Sequence, residues 1–312
     1  MNRGWDVTAL NRGLTGELPN GVTPLFADRT SEPELRRALG DGEWDLVVDT
    51  WSGSPAVAGL AARVLTGRAH HYGYVSSRSV YSWGTHVDER SPVVDGDPTA
   101  IDGDYSALKR GSELAIIASF PNALLARAGL ILGPHEDIGR LPWWLHRAAA
   151  GGQLVAPGRP DRPLQYIDAR DLAGWMLTAL DAGLSGPIDS SSRSGHATTG
   201  ELLEACVAVT GAHAELIWIP ETELAEAGAA PWTQLPCWVP ETGDFAGFME
   251  ADTGLAERAG LVARPIGQTV EDTWRWLHRE GAAPQRADRD VHGLPPDLER
   301  RILLRHAELE GR

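Results

Sequence analysis

The sequence predicts an α/β fold built on a parallel sheet, and three observations support the prediction. Short apolar segments typical of buried strands alternate with helix-type segments through the first half of the chain. A pair of serines, Ser76 and Ser77, ends one of these strands. Downstream, Tyr105 and Lys109 are four residues apart, so on a helix they lie on one face. Polar groups at strand ends beside such a helix are typical of a ligand site in an α/β fold.

The elements follow from apolar patterning and from the residues that flank them. Ser31 and Glu34 have the spacing of a capping box before the first helix, and Pro55 suits the first turn of the second. Leu154–Gly158 and Leu164–Ile167 suggest a strand pair around a turn. The remaining pattern predicts strands at 5–10, 23–27, 44–49, 71–76 and 122–126, and helices at 32–39, 55–65, 171–182, 269–278 and 298–308.

Composition restricts the class of protein. The chain has 312 residues and a net charge of −15, which argues against a nucleic-acid partner or an anionic membrane surface. The two cysteines are too few for a disulfide framework, and no apolar run is long enough to span a membrane, so we expect a cytoplasmic protein. No histidine or cysteine pair has zinc-ligand spacing, so no metal site is expected.

Lys109 is the single lysine among 28 basic residues, all others being arginine. Such an exception indicates a site that needs a compact point charge. A cation near Tyr105 would lower the pKa of its phenol from about 10 toward working pH, as a general acid/base requires. The alternative is that the spacing arises by chance and Lys109 is a solvated helix residue.

Four ordered motifs together resemble the extended short-chain dehydrogenase/reductases, and more narrowly their NAD-dependent epimerase/dehydratase group. The resemblance covers residues 6–180 and extends loosely to 276. The motifs are Ser77-Arg78-Ser79-Val80-Tyr81, Tyr105-x-x-x-Lys109, Arg127-Ala128-Gly129-Leu130-Ile131-Leu132-Gly133-Pro134 and Gln165-Tyr166-Ile167-Asp168-Ala169-Arg170-Asp171-Leu172-Ala173. The resemblance implies a Rossmann-type doubly wound parallel sheet with a smaller C-terminal substrate lobe.

The resemblance also implies roles for the residues that match. Tyr105 would transfer a proton, Lys109 would tune Tyr105 and hold the nicotinamide ribose, and Ser77 would orient the substrate oxygen. The cofactor would be NADP or NAD, because Arg12 follows the strand that faces the adenosine ribose, where arginine suits a 2′-phosphate. Arg12 could equally be an ordinary loop residue. The cofactor-binding residues implied are Arg12, Asp28, Thr50, Tyr105, Lys109, Ala128 and Gly129.

The expected domains are a dinucleotide-binding domain at 1–134, joined by 164–185, and a substrate lobe at 135–163 and 186–312. Tryptophan and arginine side chains cluster in this lobe and beside it, and they offer stacking and cation–π contacts. A substrate-facing role is one interpretation, and packing in the core of the lobe is at least as well supported. The candidate substrate residues are Trp83, Arg140, Trp143 and Trp144.

The expected function is hydride transfer between a nicotinamide and a carbonyl or alcohol of a small molecule, as in a ketoreductase. A sugar-nucleotide epimerase or dehydratase is the alternative within the same class. A different class also stays open, a non-catalytic dinucleotide sensor or RNA-binding protein with a reductase-like fold. A homodimer is a further expectation.

The segment that opens similar proteins, a strand with a glycine-rich turn and a helix, has no counterpart before Trp5. The absent strand would lie between the strands at 6–10 and 45–49. Its loss would leave a gap of roughly 10 Å bordered by unpaired backbone groups. We therefore expect that the true start lies upstream of Met1, or that the chain binds dinucleotide poorly and rearranges or borrows a strand.

Overall fold

A computed structural model describes residues 4–14, 17–84, 87–243, 247–281 and 291–311 of the chain. The chain divides into two compact units. Unit 1 comprises Met1–Ser82, Pro92–Arg127 and Leu177–Pro187, and unit 2 comprises Trp83–Ser91, Ala128–Met176 and Ile188–Arg312.

Unit 1 contains the alternating strands and helices that the sequence predicts. Two strands run past its boundaries, because the last residue of β5 (Leu124–Ala128) and the last three residues of β10 (Gly186–Ser190) belong to unit 2. The elements are β1 (Val7–Asn11), β2 (Val22–Phe26), α1 (Glu32–Leu39), β3 (Trp44–Asp49), α2 (Pro55–Leu65), β4 (Ala69–Ser77), α3 (Tyr105–Ile117) and β5 (Leu124–Ala128).

The strands of unit 1 form two separate sheets. β1 pairs in parallel with β2, in the register Val7 to Val22, and with no other strand of the described chain. The second sheet has the order β10-β5-β4-β3, with β10 at Gly186–Ser190, and β3 pairs in parallel with β4. Among the described residues, no strand lies hydrogen-bonded between β1 and β3. β1 and β3 therefore lie in different sheets.

The apolar core of unit 1 fills the space between helices and sheet. α2 is its centre, since seven of its eleven residues are buried, and it packs with α1, β4 and β5. Leu10 of β1 and Leu25 of β2 contact the same core but stay partly exposed. Val48 of β3 is 40% exposed, which is unusual for an apolar residue of a parallel sheet strand.

The capping box predicted before α1 does not form. Ser31 is the N-cap residue, but its side chain makes no capping hydrogen bond. The Glu34 carboxylate instead accepts a hydrogen bond from the Asp28 backbone N–H at 3.0 Å. The glutamate therefore fixes the chain that leaves β2 rather than the first turn of α1.

Unit 2 is a mixed α/β unit with short strands. Its largest core surrounds α4, α6 and α9, and it includes Trp144, Tyr166 and Cys206. The elements, with α5 beginning here and ending in unit 1, are β6 (Leu130–Leu132), α4 (Arg140–Ala149), β7 (Gly152–Pro157), β8 (Pro163–Leu164), β9 (Tyr166–Asp168), α5 (Ala169–Asp181), β11 (Ala197–Thr198), α6 (Thr199–Thr210), β12 (Ala214–Ile219), α7 (Glu221–Glu226), α8 (Gly254–Arg258), α9 (Ile266–Glu280) and α10 (Pro296–Glu310).

The strand pair predicted around residues 158–163 is wrong. β7 pairs in parallel with β12, β8 pairs antiparallel with β11, and β9 pairs in parallel with β6. Each strand therefore pairs with a segment distant in sequence. Local turn residues between 158 and 163 could not reveal these partners.

The two units differ from the predicted domain boundaries at four places. The first break falls after residue 127, inside β5, rather than after 134. Residues 164–176, which include β8, β9 and the first part of α5, belong to unit 2, and residues 186–187 belong to unit 1. The segment 83–91 also belongs to unit 2, where the backbone N–H of Asp252 donates to the Val87 carbonyl at 2.8 Å. Within the described residues, no helix is long and apolar enough to cross a membrane.

Candidate functional site

Ser77 is the last residue of β4 and is 9% exposed. It is the N-cap residue of a short 3-10 turn at Arg78–Val80, and its Oγ accepts a hydrogen bond of 3.1 Å from the Ser79 backbone N–H. This bond uses an oxygen lone pair and leaves the hydroxyl hydrogen for another acceptor. Ser77 is thus suited to donate a hydrogen bond to a ligand oxygen.

Tyr105 is the first residue of α3 and is 38% exposed. The helix begins there because Asp104 is its N-cap residue, with a side chain that accepts from the Ser106 N–H at 3.1 Å. The side chain of Tyr105 interacts electrostatically with Tyr74 of β4, whose pKa is raised chiefly by burial and in smaller part by neighbouring acidic groups that include Tyr105. The phenol of Tyr105 therefore lies near the end of β4 while remaining open to solvent.

Lys109 is buried, with 3% of its surface exposed. Its ammonium group donates to the Val75 carbonyl at 2.8 Å and to the Trp51 carbonyl at 3.0 Å, and it lies 4.7 Å from the centre of the Tyr74 ring. The alternative of a solvated helix lysine is wrong. Buried carbonyls in this geometry require a compact donor on a flexible stem, which explains lysine where the chain otherwise uses arginine.

Asp49, at the end of β3, organises the backbone that holds Lys109. Its carboxylate accepts hydrogen bonds from both terminal nitrogens of Arg29 at 2.8 Å, from the Tyr72 hydroxyl at 2.7 Å and from the Trp51 N–H at 2.9 Å. Burial alone would raise the pKa of Asp49, but these donors hold the pKa below its usual value. The Trp51 carbonyl accepts from Lys109 and also from the Tyr74 hydroxyl.

The sequence interpretation missed Asp49 and Arg29. The sequence offers one indication for Asp49. An acidic residue at the end of a buried strand is unfavourable unless hydrogen-bond donors surround it, so such donors could have been expected. Arg29 had none, since nothing in a loop arginine beside Asp28 indicates its partner. The Arg29 guanidinium also lies 4.7 Å above the Trp51 ring, so it fixes that residue from a second direction.

Glu113 was also missed, although it lies four residues after Lys109. It is fully buried, and its carboxylate accepts from the Ser76 hydroxyl at 2.7 Å and from Arg127 by two bonds of 2.9 Å, with Arg110 as a further partner. The Ser76 hydroxyl therefore donates to a buried carboxylate, a partner that its place at a strand end did not indicate. Glu113 joins α3, β4 and β5 next to Ser77.

Three predicted cofactor residues of unit 1, Arg12, Asp28 and Thr50, lie just after strands. Arg12 follows β1 and is exposed, and Thr50 follows β3 and is exposed. Asp28 follows β2, and its Oδ1 accepts from the N–H and hydroxyl of Thr30. These hydrogen bonds lower the pKa of Asp28, and Arg12 contributes a smaller lowering. Arg12 and Asp28 are thus near one another, while their roles toward a cofactor stay predictions.

Ala128 and Gly129, the other predicted cofactor residues, belong to unit 2. Ala128 ends β5 and is 3% exposed, and Gly129 separates it from β6. Their role also stays a prediction.

The four candidate substrate residues all lie in unit 2. Trp144 is 1% exposed and donates from its indole to the Pro236 carbonyl at 2.7 Å, so it is a core residue of this unit. Trp143 packs edge-on against it and is partly exposed. The Arg140 guanidinium donates hydrogen bonds to the Glu136 carboxylate and to the Ile131 carbonyl. Trp83 is partly exposed, with its ring centre 4.6 Å from that of Phe248.

Comparison with known proteins shows similarity in structure alone. No protein-family profile matches the sequence, and no curated protein matches it. The Bordetella bronchiseptica enzyme WbmH, solved in complex with NAD+, aligns with a TM-score of 0.67 and 15% identity, over 90% of this chain and 92% of that one.

Two further solved structures are sugar-nucleotide epimerases. The Thermus thermophilus UDP-glucose 4-epimerase, in complex with NAD, aligns with a TM-score of 0.59 and 18% identity, over 90% of this chain and 93% of the epimerase. The Bacillus cereus UDP-N-acetylglucosamine 4-epimerase aligns with a TM-score of 0.61 and 16% identity, over 90% of this chain and 92% of the epimerase. At such identities the comparison shows a shared fold, and it confirms the predicted Rossmann-type α/β architecture.

Proposed function

We propose that the chain is an NAD(P)-dependent oxidoreductase of the epimerase/dehydratase type, and specifically a ketoreductase. One observation carries this proposal. Lys109 is buried on α3, the helix that begins at Tyr105. Its ammonium donates to the carbonyl of Val75, which lies two residues before Ser77 on β4. Burying a lysine ammonium costs free energy, so a buried lysine at this position indicates a function for its charge. The named solved structures with NAD or NAD+ support the cofactor class.

The donor and acceptor groups of unit 1 fit the two ends of a dinucleotide. Asp28 offers an acceptor for an adenine amino group, and exposed Arg12 offers a charged donor for a ribose 2′-phosphate. Lys109 and Tyr105 offer donors for the nicotinamide ribose. NADP is therefore favoured over NAD, because only NADP carries the 2′-phosphate that Arg12 would bind.

The nicotinamide, when bound, supplies or accepts the hydride. The chain supplies the accompanying proton transfer and positioning. Ser77 donates its free hydroxyl hydrogen to the substrate carbonyl oxygen and orients it. The Tyr105 hydroxyl protonates that oxygen during reduction, and the Tyr105 phenolate takes up the alcohol proton during oxidation. Lys109 places a positive charge nearby, which stabilises the phenolate left on Tyr105.

The test measures turnover of the purified protein with NADPH or NADH and a panel of aldehydes and ketones. The readout is the fall in absorbance of the reduced nicotinamide. Turnover that Tyr105→Phe abolishes supports the proposal. Absence of turnover across the panel, with binding of neither nicotinamide, contradicts it.

A sugar-nucleotide 4-epimerase is the second candidate, favoured by the epimerases among the similar structures. Such an enzyme would oxidise and re-reduce one carbon, so it would show no net consumption of nicotinamide. Conversion between UDP-glucose and UDP-galactose, followed by chromatography, separates it from the ketoreductase.

A non-catalytic sensor or RNA binder makes a different prediction. Its affinity for RNA would fall steeply with salt, because phosphate binding releases counterions. Gel-shift measurements at low and high salt test this, and the net charge of −15 predicts no shift at either.

A further inference from the structure

Helix α3 is held against the end of β4 at two points. Tyr105, Lys109 and Glu113 are spaced by four residues, so their side chains lie along one face of the helix. Lys109 donates to the Val75 carbonyl at 2.8 Å, and the Glu113 carboxylate accepts from the Ser76 hydroxyl at 2.7 Å. Two successive turns of the helix are therefore hydrogen-bonded to two successive residues of the strand.

The Glu113 carboxylate is fully buried and accepts four hydrogen bonds from described residues. One oxygen accepts from Ser76 and from Arg127 Nε, and the other accepts from Arg127 and Arg110. A carboxylate has about four lone-pair sites, so its orientation is fixed. The two arginines already compensate its negative charge. The hydrogen bond from Ser76 therefore contributes position rather than charge balance.

The bond between Ser76 and Glu113 also determines where Ser77 points. Successive side chains of a strand point in opposite directions, so holding the Ser76 side chain against α3 fixes the direction in which Ser77 leaves the strand. The Ser79 N–H then donates to Ser77 Oγ and orients the hydroxyl. Rotation of Ser76 away from Glu113 would turn this strand end and displace the Ser77 hydroxyl.

Glu113 also acts on the chain that follows Ser77. The Arg127 guanidinium carbon, bound to Glu113 through two of its nitrogens, lies 4.9 Å from the centre of the Tyr81 ring. Tyr81 is the residue that ends the 3-10 turn after Ser77. Ser76 before Ser77 and Tyr81 after it are thus both connected to one buried carboxylate.

We propose that Glu113 is a positioning residue, which sets the place of the Ser77 hydroxyl relative to Tyr105 through Ser76 and Arg127. The inference rests on the proposed function, in which Ser77 and Tyr105 act on the same substrate oxygen. Glu113 is fully buried and acts through Ser77 rather than on the substrate. Displacing a reacting group by roughly 1 Å can lower a rate about a hundredfold, so the loss of this contact should appear in kcat.

The primary test is Ser76→Ala, which removes the hydroxyl that joins β4 to Glu113. It should lower kcat about tenfold and leave the KM for NADPH within about twofold of wild type. In a Ser77→Ala background the same change should have no further effect on kcat, because Glu113 acts through Ser77. Glu113→Gln should lower kcat at least as much, but it leaves the buried Arg127 without its counter-charge and endangers folding.

Thr273→Val is the matched control. Thr273 is fully buried on α9 of unit 2, and its hydroxyl donates to the Thr269 carbonyl at 2.7 Å, the same length as the bond from Ser76 to Glu113. Both variants remove one buried hydroxyl, so urea unfolding should show similar losses of stability. The control should keep the wild-type kcat. A kcat for Ser76→Ala equal to that of Thr273→Val would overturn the proposal, as would equal losses from Ser76→Ala with and without the Ser77 hydroxyl.

A second measurement separates this inference from the proposed function. Turnover that Tyr105→Phe abolishes establishes the reaction without reference to Glu113. Hydrogen exchange of the cofactor-free protein, followed by mass spectrometry, needs no turnover. The peptide 75–82 should exchange faster in Ser76→Ala than in wild type or in Thr273→Val, because the strand end is released from α3. Equal exchange in the three proteins would contradict the positioning of Ser77, whether or not a substrate is reduced.

Discussion

Arg29 donates two hydrogen bonds of 2.8 Å to the two carboxylate oxygens of Asp49, and this ion pair joins two sheets between which the described residues form no backbone pairing. Arg29 follows β2, and Asp49 ends β3. The pair therefore connects the β1-β2 sheet to the larger sheet of unit 1 at the ends of their strands. It also fixes Trp51, whose carbonyl holds Lys109.

The first prediction concerns this ion pair. Asp49→Asn should lower the free energy of unfolding at pH 7 by about 3 kcal/mol, because Arg29 would keep a partly buried charge without its partner. The pKa of Asp49 is lowered in the folded state, so its contribution is present above the unfolded pKa and disappears as pH falls through the folded value. Urea unfolding at pH 7 and near pH 3 should show the difference between wild type and variant shrinking with acid.

Asp45→Asn is the control for that experiment, because Asp45 is an exposed residue of the same strand. Its effect on the unfolding free energy should be within about 0.5 kcal/mol at pH 7. An Asp49→Asn variant as stable as Asp45→Asn would show that the ion pair is not what joins the two sheets.

The second prediction concerns Tyr105. Tyr105→Phe should reduce turnover by a factor of about 100 to 10,000, which is the range for loss of a general acid/base. Because the Tyr105 side chain is 38% exposed and the change removes a single oxygen, the melting temperature should stay nearly the same. Steady-state rates and thermal melts measure the two effects. Wild-type rates in the variant would remove the proposed mechanism.

The third prediction concerns Lys109. Lys109→Arg should lose activity although it keeps the charge, because the larger planar guanidinium cannot occupy the space between the Trp51 and Val75 carbonyls. It should also be destabilised, by about 1 to 3 kcal/mol, through the buried acceptors that it leaves unsatisfied. Urea unfolding and turnover with NADPH measure both effects. Full activity in Lys109→Arg would show that the charge alone is sufficient.

The fourth prediction concerns cofactor choice. Arg12→Ala should weaken NADPH binding by about 1.5 to 3 kcal/mol, the value of a charge-assisted hydrogen bond, and leave NADH nearly unchanged. Arg37→Ala is the matched control, as Arg37 is an exposed arginine of α1 in the same unit. Fluorescence titration with each cofactor provides the affinities. Equal losses for NADPH and NADH would show that Arg12 does not discriminate between them.

The fifth prediction concerns the divided sheet of unit 1. β1 pairs only with β2 among the described residues, and both strands are partly exposed, whereas β4 lies between β3 and β5. Backbone amides of β1 and β2 should therefore exchange with solvent faster than those of β4. Hydrogen exchange followed by mass spectrometry tests this. Equal protection in β1 and β4 would show that β1 has a further pairing partner in solution.

Much of unit 1 was predictable from local patterns. β3, α1 and α2 have the predicted bounds, and β1, β2, β4 and β5 differ from prediction by at most two residues at either end. Tyr105 and Lys109 on one helix and Ser77 at a strand end were also predictable, because helix periodicity and the alternation of strands and helices are encoded within a few residues. The pairing of β7 with β12 was not, since these strands are about 60 residues apart in sequence.

The sequence by itself determined the order of strands and helices, the Tyr105 and Lys109 spacing and the place of Ser77 at the end of β4. Each depends on backbone preferences and side-chain periodicity over a few neighbouring residues. Only the tertiary structure decided that Lys109 is buried against two carbonyls. It alone also decided that the Glu113 carboxylate accepts hydrogen bonds from Ser76 and Arg127, and that Asp49 pairs with Arg29. These partners are distant in sequence, and a buried charge must find its compensating groups wherever folding brings them.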